Sequence, residues 1–236
     1  MNFYRIKQDD RYPDLWYSDN DDFRNTIICP KHNGHQRGMR DENKNLNVEV
    51  KKLKLGDFVS TVFNDLLITD NVADLFEKHN LTGYKLNPVN VCNMKLPFNL
   101  WEFVATGKAD YDPACGIKEI YRCEYCDCVY RRHYFNSTGI IIDESTWDGS
   151  DFFRIEPYPT YIFVTEKIKN FIEKYNLDGM TFVLSTDLRI ENIRPFDENK
   201  TKEEWKEYFE RDITPLKEKL INHAKESWRR AGLPRP

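Results

Sequence analysis

The stretch 164-VTEKIKNFIEKYNLDGMTF-182 decides the fold, because the chain carries it twice. Moved back 96 positions, it aligns without gaps on 68-ITDNVADLFEKHNLTGYKL-86. Thr69 meets Thr165, Glu77 and Lys78 meet Glu173 and Lys174, and Asn80, Leu81 and Gly83 meet Asn176, Leu177 and Gly179. Each copy reads the same way. An apolar run, 66-LLI-68 or 161-YIFV-164, suits a buried strand. Thr69 or Thr165 can cap the helix that follows, and Asp70 or Glu166 suits its positive end. Val72, Leu75 and Phe76, like Ile168, Phe171 and Ile172, recur at i, i+3, i+4 and give one apolar stripe to a core. The glycine supplies the left-handed turn that stops the helix before a second strand, 84-YKLNPVNV-91 or 180-MTFVLS-185. The expectation is an α+β fold with two repeated strand-helix-strand units, over 57–91 and 151–186.

The 236 residues are 40% hydrophobic and 14% aromatic, enough apolar surface to offset the entropy of ordering a core. The 35 basic and 39 acidic residues give a net charge of -4, without the long basic stripe that neutralises phosphates. Nucleic acid is therefore not the expected partner. The N-terminus MNFYRIKQDDRYPDLWY lacks the apolar core of a signal peptide, and nowhere does an apolar run reach membrane-spanning length. A cytoplasmic protein with no membrane partner is the expectation, and there cysteines serve as thiols or metal ligands rather than disulfides.

Six cysteines stand at 29, 92, 115, 123, 126 and 128. Cys29-Pro-Lys-His32 has the spacing of half a zinc knuckle, and 123-CEYC-126 repeats that spacing. Cys29, His32, Cys123 and Cys126 together make a Cys3His set, a recognised composition for structural zinc. Four protein ligands leave no place for water, so such a zinc would tie the chain together and generate no hydroxide. Other donors are in range: His35 in place of His32, Cys115 and Cys128 in a local site, or His133. A redox reading of Cys-x-x-Cys wants the first thiol at a helix N-terminus, whereas 126-CDCVYRRHYF-135 reads as extended. Cys92 reads as a small buried residue.

Past Pro195 the chain becomes highly charged, with apolar residues at helical spacing. Residues 196–236 read as an amphipathic helical tail following a domain over 1–195. Thr201 and Glu204 fit a capping box, and Trp205 and Phe209, then Leu216, Leu220, Ala224 and Trp228, line helix faces, with Pro215 opening a second helix.

This combination resembles the bacterial double-CXXCG motif family, which includes immunity proteins of the swarming-inhibition type. The resemblance lies in 3-FYRIKQDD-10, the two cysteine motifs with a long insert between them, and 152-FFRIEPYPTYIFVTEKIKNFIEKYNLDGMTF-182. The sequence departs from the pattern at both motifs: His32 stands for a cysteine, Gly34 falls one place late, and Asp127 replaces the second glycine. The resemblance implies a non-catalytic immunity protein with structural zinc, which binds a cognate protein toxin and has no small-molecule substrate. An acidic, aromatic-rich surface suits a basic toxin, with 18-SDNDD-22 and the tail as candidate contacts.

An enzyme reading has Asp110, Asp112 and His133 to work with, but no nucleophile elbow, phosphate loop or metalloprotease helix motif accompanies them. An alternative is a zinc-ribbon-like adaptor, with Arg122, Arg131, Arg132 and His133 interleaved with Tyr121, Tyr125, Tyr130 and Tyr134 as a stacking surface for bases.

Overall fold

The computed structural model describes residues 1–18, 24–33, 35–40, 44–52, 54–133, 139–156, 158–188, 200–216 and 218–219, with the backbone alone at 24–28, 36–40, 130–133 and 159. The fold is mixed α+β. Numbered along the chain, the first strands are β1 (Phe3–Gln8), β2 (Trp16–Tyr17), β3 (Arg24–Ile28), β4 (Gln36–Arg40), β5 (Leu46–Glu49), β6 (Phe58–Ser60) and β7 (Leu66–Thr69). Helix α1 (Asp70–Lys78) leads to β8 (Tyr84–Val91), β9 (Leu100–Ala105), β10 (Gly107–Tyr111), β11 (Ile117–Arg122), β12 (Val129–His133), β13 (Ile142–Asp143), β14 (Phe152–Ile155) and β15 (Tyr158–Thr165). Then come α2 (Glu166–Lys174), β16 (Met180–Leu184) and α3 (Lys202–Glu210). These form two compact units, one of residues 1–23, 41–117 and 133–193, the other of 24–40, 118–132 and 194–236.

The first unit holds two curled six-stranded sheets, ordered β2-β5-β8-β9-β7-β6 and β13-β10-β14-β15-β1-β16. Each curls until its edges meet. In the first, Leu15 N–H donates to the Ser60 carbonyl (2.8 Å) and Val62 N–H to that of Leu15 (3.0 Å). In the second, Ile140 N–H donates to the Ser185 carbonyl (2.8 Å). Meeting edges leave few unpaired backbone groups to template aggregation.

The two sheets are wired alike. β7 and β8, either side of α1, both run antiparallel to β9 between them. β15 and β16, either side of α2, both run antiparallel to β1. The registers are in phase: Thr69 faces Leu100 as Thr165 faces Phe3, and Leu86 faces Phe103 as Phe182 faces Ile6. The strand between β15 and β16 is thus β1, from the start of the chain.

The loops that end the helices interlock reciprocally. Phe58 N–H donates to the Asp178 carbonyl and Phe152 N–H to that of Thr82, both at 3.1 Å. Asp178 N–H donates to the Asp57 carboxylate (3.1 Å), and Thr82 N–H to that of Asp151 (2.9 Å). His79 Nε2 and the Tyr175 hydroxyl, ring positions 96 apart, are hydrogen-bonded to each other at 2.7 Å.

Val72 and Phe76 from α1, and Ile168 and Ile172 from α2, join Phe58, Phe103 and Phe152 in one buried cluster. The phenylalanine rings meet edge-on or tilted, with centroids 4.8 Å apart for Phe103 and Phe152 and 5.1 Å for Phe76 and Phe152. Each curled sheet also has its own cluster: Leu15, Leu46, Val48, Val59, Leu67 and Leu100 in one, Phe3, Ala109, Ile142, Phe153, Ile155 and Phe163 in the other.

Two local expectations change. Thr69 and Thr165 do occupy the N-cap position, yet neither hydroxyl caps the helix; both Oγ1 atoms are buried without a partner. Cys92 is exposed rather than buried, because it lies just past β8, where Cys92 N–H still reaches the Val48 carbonyl (2.9 Å) but the side chain leaves the sheet. Among the described residues, no helix is long and apolar enough to cross a membrane.

Candidate metal centre

The second unit includes two hairpins, β3–β4 and β11–β12, and helix α3, after which residues 214–216 and 218–219 are also helical. In the first hairpin the turn folds back tightly: His35 N–H donates to the His32 carbonyl (3.0 Å) and Cys29 N–H to that of His35 (3.4 Å). This returns His35 to the side of Cys29. In the second, Cys123 N–H donates to the Cys128 carbonyl and Asp127 N–H to that of Cys123, both at 2.9 Å. Asp127 has φ 52, the left-handed conformation that glycine adopts most easily, and its carboxylate accepts from Arg122 (2.6 Å).

Both turns point backbone N–H groups at a sulfur. Lys31 and His32 donate to Cys29 Sγ (3.5 and 3.3 Å). Burial alone would push the Cys123 thiol up, but the N–H groups of Tyr125 and Cys126, with His35 and Tyr121, outweigh it and bring it down to about 6. Burial first, then the neighbouring Cys29 and Cys123, hold Cys126 up to about 11. The N–H groups thus favour a thiolate at Cys123, while Cys126 beside it is held toward the thiol.

Cys29, His35, Cys123 and Cys126 offer donor atoms that all lie within 4.8 Å of one another, and the first three are buried. Cys29 and Cys123 sulfurs are 3.8 Å apart, and His35 Nδ1 is 3.9 Å from Cys126 Sγ. A tetrahedral zinc with Zn–S near 2.3 Å places its sulfurs about 3.8 Å apart, so the sulfur pair already has the required edge. The widest pair would close by about 1 Å on binding. The cluster can hold a metal ion.

Of the expected ligands, the structure brings together Cys29, Cys123 and Cys126, with His35 as the imidazole. His32 is adjacent but outside the set: its ring centroid is 5.1 Å from that of His35, and its buried Nε2 has no hydrogen-bond partner, with Glu210 at 3.9 Å. The three-residue spacing pointed to His32; the fold-back of the turn puts His35, six residues from Cys29, in range instead. Cys115 is buried in the first unit, in a short 3-10 turn whose N-cap is Asp112. Cys128 is partly buried beside the cluster without joining the four. The side chain of His133 lies outside the described residues, as do those of Tyr130, Arg131, Arg132 and Tyr134. Residues 19–22 of the acidic stretch are also outside them. Arg122 is taken up by Glu119 (2.7 Å) and Asp127 (2.6 Å), which leaves it poorly suited to phosphate.

No protein-family model matches this chain, and no curated protein is similar to it. The chemistry has to be argued from the centre itself. With all four donors bound the coordination shell is closed, and a closed shell orders the chain without activating water.

Proposed function

We propose that the chain is an immunity protein, a non-catalytic binder that neutralises a cognate bacterial toxin, with structural zinc held by Cys29, His35, Cys123 and Cys126. One observation carries the reading: two cysteine motifs 94 residues apart meet in one buried four-donor set. That is the pairing the resemblance to the double-CXXCG family implies, and it joins two hairpins rather than building an open reactive site. Toxin contact would fall to acidic surface and to exposed aromatics such as Trp16 and Phe63. The zinc would supply a cross-link between distant segments, and its affinity would fall in acid as the thiolates protonate.

We also read the two sheets as copies of one unit. Positions 96 apart carry α1 and α2, and the aligned strands before them differ by 94: Leu15 with Ala109, Val48 with Ile142, Phe58 with Phe152. On that spacing Cys29 corresponds to Cys123 and His32 to Cys126, so each copy brings one hairpin and one ligand pair to the centre. His35 standing in for His32 breaks the symmetry at the fourth ligand.

Metal analysis of the purified chain tests the centre. One zinc equivalent is expected in the parent and in His32→Ala, and a marked loss in His35→Ala and Cys123→Ser; a metal-free parent rejects it. Co-expression with a toxin encoded beside this chain tests the role. Rescue and a stable complex are expected, and absence of both overturns the immunity reading.

A further inference from the structure

The end of α3 lies over the centre. His35 Nε2 is 2.9 Å from the Phe209 carbonyl. A carbonyl only accepts, so the ring proton sits on Nε2, which leaves the Nδ1 lone pair on the side of Cys126. Phe209 is in the last turn of α3, where carbonyls lack intrahelical partners and the helix dipole is negative. Its ring stacks on Tyr121, with centroids 5.2 Å apart, and packs on the cluster formed by Cys29, Tyr121 and Cys123. The Tyr121 hydroxyl donates to Glu210 (3.0 Å). Asn33, in the Cys29 turn, clasps the segment that follows: its amide nitrogen donates to Thr214 Oγ1 (2.8 Å) and its amide oxygen accepts from Ile213 N–H (3.1 Å).

We infer that α3 and the residues up to Thr214 form the outer shell of the metal centre, and that metal binding and docking of this segment are coupled. The inference rests on the metal reading above. An imidazole bound to a cation through Nδ1 is a stronger donor through Nε2, so the metal tightens the bond to Phe209. By linkage, the docked carbonyl raises metal affinity by the same factor. Phe209 and Asn33 are thus positioning residues, acting on the metal through His35 and the Cys29 turn. The segment from α3 to Thr214 is part of the clamp and is released when the metal leaves.

The test uses the full-length chain with zinc, competed against a chromogenic chelator, and limited proteolysis read by mass. Phe209→Ala keeps the backbone carbonyl but removes the ring that seats it against His35, and is expected to weaken zinc by about 10-fold. Chelation of the parent is expected to open cleavage within 201–214 while circular dichroism retains the sheet signal. His35→Cys keeps four ligands but has no ring N–H for the Phe209 carbonyl, so adding Phe209→Ala to it is expected to cost clearly less zinc affinity than Phe209→Ala costs the parent, with only the ring packing left to lose. Where Phe209→Ala fails to fold, Asn33→Ala is measured in its place. Zinc binding by the parent with affinity and cleavage unchanged by these variants overturns the coupling alone; a parent that binds no zinc overturns the metal reading itself.

Discussion

Thr69 and Thr165 show how one residue type can satisfy a local rule by position and fail it by chemistry. Both have extended backbone at the N-cap, φ -75 and -76, but Oγ1 is buried and makes no bond. Their N–H groups instead donate to the carbonyls of Asp57 (3.1 Å) and Asp151 (3.3 Å). A buried hydroxyl without a partner costs about 1–3 kcal/mol, so Thr69→Val or Thr165→Val should raise stability by about 1 kcal/mol. Denaturant melts check this; a loss of about 1 kcal/mol, as expected for a lost cap, would contradict it. Asp65 is a partly buried polar group of another kind, well supplied with donors. Burial first, then Glu102, against an opposing contribution from Arg154, push its carboxyl from 3.8 to about 7, while the Tyr17 hydroxyl and Thr61 Oγ1 donate to it. Because the folded value lies above the unfolded one, the stabilising contribution is full below about pH 4 and is lost as pH rises through about 7. Asp65→Asn should melt close to the parent at pH 4 and above it at pH 8, with the gap opening between.

Among the elements, α1 and α2 are governed by how they stop. Each is followed by an asparagine at φ 50, Asn80 or Asn176, and then by a left-handed glycine, Gly83 or Gly179. The glycines do more than turn the chain. A Cβ on Gly179 would overlap the Phe58 carbonyl, and one on Gly83 the Phe152 carbonyl, so each loop fits against β6 or β14, the strand paired with the one that leads into the other helix. Gly179→Ala must shift backbone as well as bear a φ of +92, and a loss of several kcal/mol is expected. Gly149 has a similar φ of +84 but open space around it, and Gly149→Ala should lose only about 1–2 kcal/mol. Equal losses in urea melts would show that the close approach contributes nothing. The hairpin turn at Cys123 does without glycine: Asp127 takes the left-handed conformation itself, supported by Arg122.

For the whole molecule, a metal ion held by the cluster would close a loop between Cys29 and Cys123, residues 94 apart, and such a closure mainly restricts the unfolded chain. Chelation should therefore raise amide exchange in 24–40 and 118–132, while the strands beside α1 and α2 stay protected; uniform protection with and without zinc would contradict a structural role. The sequence by itself placed a strand, a helix and a strand in each of the two segments, because apolar stripe and glycine stop are local signals, though β15 begins at Tyr158, three residues before the run read as a strand. It also pointed to three of the four residues whose donors cluster, Cys29, Cys123 and Cys126, since two donors three positions apart are a local signal. It did not reveal that β1 completes the sheet of β15 and β16, because strand pairing across more than 150 residues leaves no periodic trace. Nor did it choose His35 over His32. Both imidazoles lie within one short turn, and the fold-back of that turn, together with the Phe209 carbonyl at 2.9 Å, decides which ring faces the sulfurs. Local propensity is written residue by residue, whereas the partner strand and the fourth ligand depend on which distant backbone groups arrive alongside, and only the tertiary structure supplies them.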